Sequence, residues 1–205
     1  MDVGGGVAMT DGSVRAALKQ ELYHRYAGDS GTLIVEELGL KHGAARVDLA
    51  VINGRLLGIE IKSNSDSLQR LPGQVRIYNC VLDRASLVCG DRHLARALRL
   101  IPEWWGVTRA EIRTDGTVRL TPVREPSDNP APDPVAIAKL LWRDEVLEIL
   151  EGENKCDGLR SKRRSVLYAK LAEVLGLDSL RARVRQQLRA RLGWRSDGLQ
   201  RRGDG

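Results

Sequence analysis

Two acidic residues and a lysine on neighbouring β-rich segments are the residues whose types and spacing could do chemistry. Asp48 lies in the segment RVDLAVI, and Glu60 and Lys62 lie in the segment RLLGIEIKS. Side chains alternate between the two faces of a strand, so Glu60 and Lys62 point to the same side. Two nearby carboxylates can bind Mg²⁺, which polarises a phosphoryl group and lowers the pKa of a bound water. The pattern therefore indicates metal-assisted phosphodiester hydrolysis, with Lys62 orienting the attacking water or offsetting charge on the pentacovalent phosphate.

The loop between the two segments decides whether Asp48 joins Glu60. The dipeptide Asn53-Gly54 is a strong hairpin signal. A two-residue loop there would place Asp48 and Glu60 on opposite faces of the sheet. A three-residue loop over 52–54, or a bulge at Gly58, would place them on the same face. We expect one of these two arrangements, and the alternative is a set of ordinary surface ion pairs.

The elements that must position these residues follow from hydrophobic periodicity. Apolar residues recur at helical spacing from Ser13 to Tyr26, with Asp11 or Ser13 available as the N-cap. Strands are predicted over 32–40, 46–52, 55–63 and 85–90, with a helix from Gln74 to Val81 before the last of them. A helix over 92–100 and a hairpin around Asp115-Gly116 follow. This order predicts an α/β fold in which helices flank a mixed sheet.

The chain is expected to divide at a proline-rich stretch. Residues 1–12 are rich in glycine and predict a flexible end, and residues 13–125 hold the α/β elements. Four prolines within 126–134 predict a linker. Residues 135–205 predict an all-helical segment, with helices over about 135–151, 161–176 and 179–192 and with Asp178 as the N-cap of the last helix.

All of the net charge of the chain lies in the helical segment. Residues 135–205 contain 16 basic and 10 acidic residues, which accounts for the whole formal charge of +6. Arg181, Arg185 and Arg189 follow one another at a spacing of four, as expected for one stripe of a helix. An apolar face beside them is formed by Leu180, Val184, Leu188 and Leu192.

The last two predicted helices loosely resemble a helix-turn-helix, with Gly176 in the short turn. A basic helical face suits binding to nucleic-acid phosphates. The alternative is a solvated basic face or an arm that contacts another protein.

Several protein classes are disfavoured by composition. The apolar runs fall far short of the roughly 20 residues that a membrane span needs, and the N-terminus lacks the basic start of a signal peptide. We therefore expect a cytoplasmic protein without a membrane partner. The three cysteines and three histidines are widely spaced, which argues against a disulfide scaffold and a zinc site.

The ordered set of motifs resembles a known nuclease signature. Asp48 followed by Glu60-Ile61-Lys62, between two helices, resembles the active-site motif of the PD-(D/E)XK nuclease superfamily. The segment GAARVDLAVINGRLLGIEIKSNSD is similar to MmcB-like DNA-repair nucleases. Gln74 and Tyr78 lie one helical turn apart and resemble the Q-x-x-x-Y motif of RecB-type members.

The resemblance implies a fold and a set of roles. The fold would be a restriction-endonuclease-like αβββαβ core. Asp48, Glu60 and the carbonyl of Ile61 would bind Mg²⁺, with Mn²⁺ as an alternative ion, and Lys62 would be the catalytic lysine. The expected activity is that of a metal-dependent endonuclease, a hydrolase of DNA phosphodiester bonds in repair or defence, and a homodimer would allow two sites to cut two strands.

Further residues would complete such a site. Glu37 resembles the additional upstream acid of the family pattern, with Glu36 or Glu21 as alternatives, while Gln74 and Tyr78 would position DNA or the lysine amine.

Arg46 and Arg70 would bind phosphates, or would instead pair with Glu60 or Asp66. A second hypothesis of a different class is a non-catalytic DNA-binding protein or regulator that uses the basic C-terminal helices. A third is a protein-interaction module.

Overall fold

A six-stranded sheet forms the centre of the computed structural model, which describes residues 9–40 and 43–191. The strands are β1 (Leu33–Leu40), β2 (Ala45–Ile52), β3 (Leu56–Lys62), β4 (Arg84–Gly90), β5 (Gly106–Ile112) and β6 (Val118–Arg124). They lie side by side in chain order. The pairs β1–β2, β2–β3 and β5–β6 are antiparallel, whereas β3–β4 and β4–β5 are parallel, so the sheet is mixed.

Helices connect the parallel strands and form the C-terminal part of the described chain. They are α1 (Asp11–Arg25), α2 (Leu71–Val81), α3 (Asp91–Leu98), α4 (Pro134–Ala138), α5 (Arg143–Gly152), α6 (Arg164–Val174) and α7 (Leu177–Ala190). Parallel neighbours need a crossover connection. Here α2 supplies the crossover between β3 and β4, and α3 supplies the crossover between β4 and β5.

Each face of the sheet has its own apolar core. On one face, α1 packs on the strands through Val14, Leu18 and Leu22, which meet Leu49, Val51, Ile59 and Ile61. On the opposite face, a larger core joins α2, the sheet and the C-terminal helices. Its buried residues include Val75, Tyr78, Leu56, Leu87, Leu167, Leu171 and Val184. Strands covered on both faces are apolar on both sides, which explains the nearly continuous apolar runs in the sequence.

The proline-rich stretch 126–134 is held against this larger core. The side-chain amide of Asn129 donates to the carbonyl oxygens of Asn79 and Leu82, both at 2.8 Å. The C-terminal helices and the sheet therefore share one apolar core. The division of the chain into domains stays a prediction.

The helix boundaries differ from the expectations at three places. Thr10, rather than Asp11 or Ser13, is the N-cap of α1, and Ser13 completes a capping box. The helix predicted over 135–151 is two helices, because the carboxylate of Glu145 accepts a hydrogen bond from the backbone N–H of Trp142 and caps α5. Asp178 lies in the first turn of α7, and Gly176 is the N-cap.

The α/β class, the mixed sheet and the C-terminal helices are confirmed. The finer expectation of a restriction-endonuclease-like core is not established by this sheet alone. At the N-terminus, Met9 is buried and α1 begins at Asp11, while residues 1–8 lie outside the described residues. Within the described ranges, no helix combines the length and the apolar character needed to cross a membrane.

Candidate functional site

The hairpin between β2 and β3 has a three-residue loop, the length that places Asp48 and Glu60 on the same face of the sheet. Ile52 pairs with Leu56 and Leu49 pairs with Ile59, which leaves residues 53–55 as the loop. The expected odd loop length is confirmed, although the loop lies one residue later than 52–54. Asp48 is thereby placed beside β3, where its Oδ2 accepts a hydrogen bond of 2.7 Å from the backbone N–H of Ile61.

A cleft of about 1120 Å³ opens where β2, β3 and α2 meet. Several residues singled out in the sequence line it, namely Glu37, Arg46, Asp48, Glu60, Ile61, Lys62, Arg70 and Gln74. Tyr78 lies behind the cleft and is fully buried. Apart from Glu36 and Glu21, the alternatives for the upstream acid, the structure brings together the site residues that were expected in the α/β part of the chain.

Glu60 is the most heavily bonded side chain of this cleft. It is 2% exposed, and its Oε1 forms an ion pair with the amine of Lys62. Gln74 donates to Oε1 at 2.5 Å, and the Tyr78 hydroxyl lies 2.5 Å from Oε2. The Trp105 ring stacks on Tyr78 with centroids 5.8 Å apart, which helps to fix the tyrosine.

Burial decides the ionisation of this cluster. Loss of solvent raises the pKa of the Glu60 carboxyl, and the Asp48 charge raises it further, while Lys62 opposes the shift. Burial and the adjacent Glu60 carboxylate also raise the pKa of Tyr78, so its hydroxyl stays protonated at neutral pH. Both oxygens of the Glu60 carboxyl group therefore accept protein donors, namely the Lys62 amine, the Gln74 amide N–H and the Tyr78 hydroxyl, whereas the buried Oε1 of Gln74 has no hydrogen-bond partner.

Arg15 of α1 is the cleft residue that sequence reasoning missed. It donates to Asp48 Oδ1 at 2.9 Å, to the Asp48 carbonyl at 3.1 Å and to Glu37 Oε1 at 3.2 Å. No local spacing signals this contact, because Arg15 and Asp48 are 33 positions apart in the chain. Arg15 is the positive charge that compensates Asp48.

The three candidate upstream acids have different surroundings. Glu37 lines the cleft and adopts a left-handed φ of 54°, which is uncommon for a residue other than glycine. Glu36 accepts a hydrogen bond from Lys19 at 2.8 Å, and Glu21 pairs with Arg25 at 2.6 Å. Of the three, Glu37 is the acid that the structure brings to the cleft.

The carboxylates of the cleft are already balanced by protein cations. Each carboxylate oxygen of Asp48 and Glu60 accepts a protein donor, and Arg15 and Lys62 contribute two positive charges. Within 9–40 and 43–191, no group of three histidine, cysteine or acidic side chains is placed to hold a metal ion. The arrangement needs no divalent cation for charge balance, and the expected binding of Mg²⁺ or Mn²⁺ by Asp48, Glu60 and Ile61 stays a prediction.

The second candidate site is the pair of helices α6 and α7. They are separated only by Leu175 and Gly176. The apolar face of α7 packs on the core through the buried side chains of Leu180, Val184 and Leu188, while Leu192 lies outside the described residues. This amphipathic arrangement leaves Arg183 and Arg189 exposed on the other side of α7.

Two arginines of the expected basic stripe point towards the sheet. Arg181 Nε lies 2.8 Å from Asp83 Oδ1, and Arg185 Nη1 lies 2.9 Å from Asp83 Oδ2. Asp83 is 3% exposed, and its carboxylate also accepts the backbone N–H of Leu56 at 2.7 Å. The two guanidinium groups therefore compensate a buried acid. Of the three arginines expected to bind nucleic acid, only Arg189 is exposed, whereas Arg181 and Arg185 are partly buried. Nucleic-acid binding by these arginines stays a prediction.

A different group of basic residues is exposed to solvent. Lys162, Arg163 and Arg164 form an exposed run at the start of α6. Among the ion pairs of the described residues, none joins this run to an acid. We call residues 162–164 the basic run. Three consecutive basic residues are visible in the sequence, but their exposure is known only from the structure.

Comparison with known proteins gives one family and one relative. A family model described as "Bacteriophage P4 protein cII" matches residues 9–204. "Protein cII" of Enterobacteria phage P4 is 33% identical over 94 residues, an alignment that covers 46% of this chain and 35% of the relative. This chain therefore matches about a third of the length of that relative.

These matches overturn the nuclease interpretation. The family found over residues 9–204 is not the PD-(D/E)XK superfamily, nor its MmcB-like or RecB-type members. The expected membership is wrong, and so are the Mg²⁺-dependent deoxyribonuclease activity, the hydrolase class and the DNA-repair role that depended on it. Asp48, Glu60 and Lys62 match the nuclease motif in order and spacing. In this fold, however, Arg15 compensates Asp48, and Lys62 compensates Glu60.

Proposed function

Because the chain belongs to the family of bacteriophage P4 protein cII, we propose that it is a non-catalytic DNA-binding protein with a regulatory role. The observation that carries this proposal is the exposed basic run 162–164 beside the α6–α7 helix pair. Cationic side chains that are not used by the protein itself are available to phosphates. The charge of the chain is concentrated in the same segment.

The helix pair supports this role in a second way. The turn between α6 and α7 is short, and Arg183, Gln186 and Arg189 project from the exposed face of α7. Long polar side chains on one helix face are suited to contacts along a DNA groove, while the basic run would hold the phosphate backbone.

The sheet would then act as a platform. The mixed sheet, covered by helices on both faces, supports a scaffold of this type. Arg46 and Arg70 are exposed at the cleft and would add phosphate contacts when DNA extends across the sheet. The satisfied Asp48–Arg15 and Glu60–Lys62 pairs would stiffen this platform.

The proposal is tested by removing the basic run. We expect Lys162→Ala/Arg163→Ala/Arg164→Ala to weaken duplex DNA binding. It should also reduce the slope of log affinity against log salt by about 3, since each lost phosphate contact lowers that slope by about 1. Fluorescence anisotropy with a labelled duplex measures both quantities.

The matched control removes the same charge from another part of the surface. Arg99→Ala/Arg113→Ala/Arg119→Ala changes three exposed arginines, one directly after α3 and two in the β5–β6 hairpin. Its affinity and salt slope should stay near those of the unmodified protein. Equal losses in the two triple variants would mean that net charge alone drives binding, which would contradict a site at the basic run.

A further inference from the structure

Trp142 is a large aromatic side chain that the fold leaves in solvent. It precedes α5 and is 62% exposed, although tryptophan usually buries most of its surface. Exposure of a side chain with this much apolar area loses a stabilising contact, so the position calls for an explanation by function.

The guanidinium group of Arg191 lies over one face of the Trp142 indole ring. The guanidinium carbon of Arg191 lies 4.3 Å from the ring centroid. Arg191 is fixed in turn by Glu145, which it contacts at 2.8 and 2.7 Å, and by a 2.7 Å hydrogen bond to the carbonyl of Leu140. One ring face is therefore covered by a planar cation, and the large exposed fraction belongs to the rest of the ring.

Two hydrogen bonds connect the segment that carries the basic run to the segment that carries Trp142. Tyr168 of α6 donates a hydrogen bond of 3.1 Å to the carbonyl of Leu141, the residue before Trp142. Arg164 lies one helical turn before Tyr168 on the same face of α6. In addition, the guanidinium of Arg143 donates to the carbonyl of Arg160. Both contacts join the segment that carries the basic run to the segment that carries Trp142.

We propose that Trp142 and the basic run form a binding site for single-stranded DNA, in which an unpaired base stacks on the open face of the indole. The inference rests on the proposed DNA-binding function and adds the preferred state of the strand. Aromatic side chains beside a cationic track are the combination that binds unpaired bases, each stack contributing about 1–3 kcal/mol. Bases in a duplex are stacked on one another and do not offer a free face, so the contact with Trp142 adds affinity only for an unpaired strand, whereas the basic run binds the phosphates of either form.

The first test compares binding of a labelled dT20 strand and a labelled duplex by fluorescence anisotropy. Trp142→Ala should weaken binding of dT20 about 10-fold, in line with the loss of one stacked base, and should change duplex binding less than about 2-fold. Trp142→Phe should restore most of the loss because the phenyl ring also stacks. Val166→Ala is the matched control, since Val166 is an exposed apolar residue of α6, and it should leave both affinities unchanged.

The second test separates stacking from charge. A DNA strand of the same length as dT20, made only of abasic nucleotides, keeps the phosphates and lacks the bases. The unmodified protein and Trp142→Ala should bind this strand with equal affinity, because no base is present to stack. A loss on the abasic strand as large as that on dT20 would assign Trp142 to folding or backbone contact, and would overturn the proposal.

Failure of this inference differs from failure of the DNA-binding function. If the unmodified protein binds duplex DNA and Trp142→Ala leaves dT20 affinity intact, the stacking site is wrong and the DNA-binding function stands. If the unmodified protein binds neither DNA at low salt, both are wrong. Tighter binding of an rU20 strand than of dT20 would overturn the assignment to DNA.

Discussion

At the scale of single residues, Glu60 and Lys62 of the nuclease-like pattern form a buried ion pair. Side chains of the two residues are 2% and 7% exposed, so neither charge is screened by water. Such a pair is weak evidence for net stability, because desolvation offsets much of the attraction. Removal of one partner, in contrast, leaves an uncompensated buried charge.

We expect Lys62→Met to destabilise the protein by about 3–5 kcal/mol at pH 7.5, because Glu60 loses its counter-charge. The penalty should shrink as the pH is lowered towards about 5. A carboxyl group whose pKa is raised in the folded state binds more protons there than in the unfolded chain, so stability falls as the pH rises through that interval. Urea unfolding at the two pH values measures the effect.

The control for Lys62→Met is the double substitution Glu60→Gln/Lys62→Met. It removes both charges and should lose the pH dependence while keeping a smaller penalty. If Lys62→Met were destabilised equally at both pH values, the buried charge of Glu60 would not be the cause.

Sequence reasoning is reliable at this scale for residues on the same or neighbouring strands. The alternation of strand side chains and the odd hairpin loop place Asp48, Glu60 and Lys62 together. It fails for partners that come from distant elements, such as Arg15 at Asp48, because no periodicity connects positions so far apart.

At the scale of elements, the contact between α7 and the sheet depends on Asp83. This residue lies between α2 and β4, caps the start of β3 through the N–H of Leu56, and compensates Arg181 and Arg185 of α7. A helix that looks like a free basic arm in sequence is therefore tied to the sheet by charge as well as by its apolar face.

We expect Asp83→Asn to destabilise the protein by about 3 kcal/mol, since it leaves two partly buried guanidinium groups without their acid. The destabilisation should be largest where α7 packs on the sheet, so amide hydrogen exchange should accelerate more in α7 than in α1.

Asp178→Asn provides the comparison for Asp83→Asn. Asp178 also contacts Arg181, at 3.7 Å, but its side chain is 99% exposed. Its replacement should not measurably change stability or exchange, because exposed ion pairs contribute little. Equal exchange in the two variants would remove Asp83 from the docking of α7.

Periodicity predicts the existence of these elements better than their ends. The helix expected over 135–151 is interrupted because Glu145 caps the backbone at Trp142. A cap formed by a side chain three residues later is a local contact that a smooth apolar pattern does not reveal.

At the scale of the whole molecule, the charge distribution gains its meaning only from the structure. The excess positive charge lies in the C-terminal part of the chain. The fold uses Arg181, Arg185 and Arg191 for internal ion pairs and leaves the basic run 162–164 exposed. The α/β class and the charge division could be predicted from sequence, whereas the separation of internal from available charges required the packing of α7 on the sheet.

The family also shows a limit of motif-based inference at this scale. An acid, a second acid and a lysine in the right order occupy one cleft, yet their charges are met by Arg15, Gln74 and Tyr78 from other elements. The proposed function is that this protein holds DNA without cutting it, through the basic run of the helical segment.

The most direct test of that claim is to measure duplex DNA binding over 50 to 200 mM salt in the presence of Mg²⁺, followed by electrophoresis of the same DNA. We predict affinity that falls steeply with salt, roughly 50-fold over this range for about three phosphate contacts, and DNA that is recovered intact. An absence of binding at the lowest salt concentration, or DNA cut by the unmodified protein, would contradict the account.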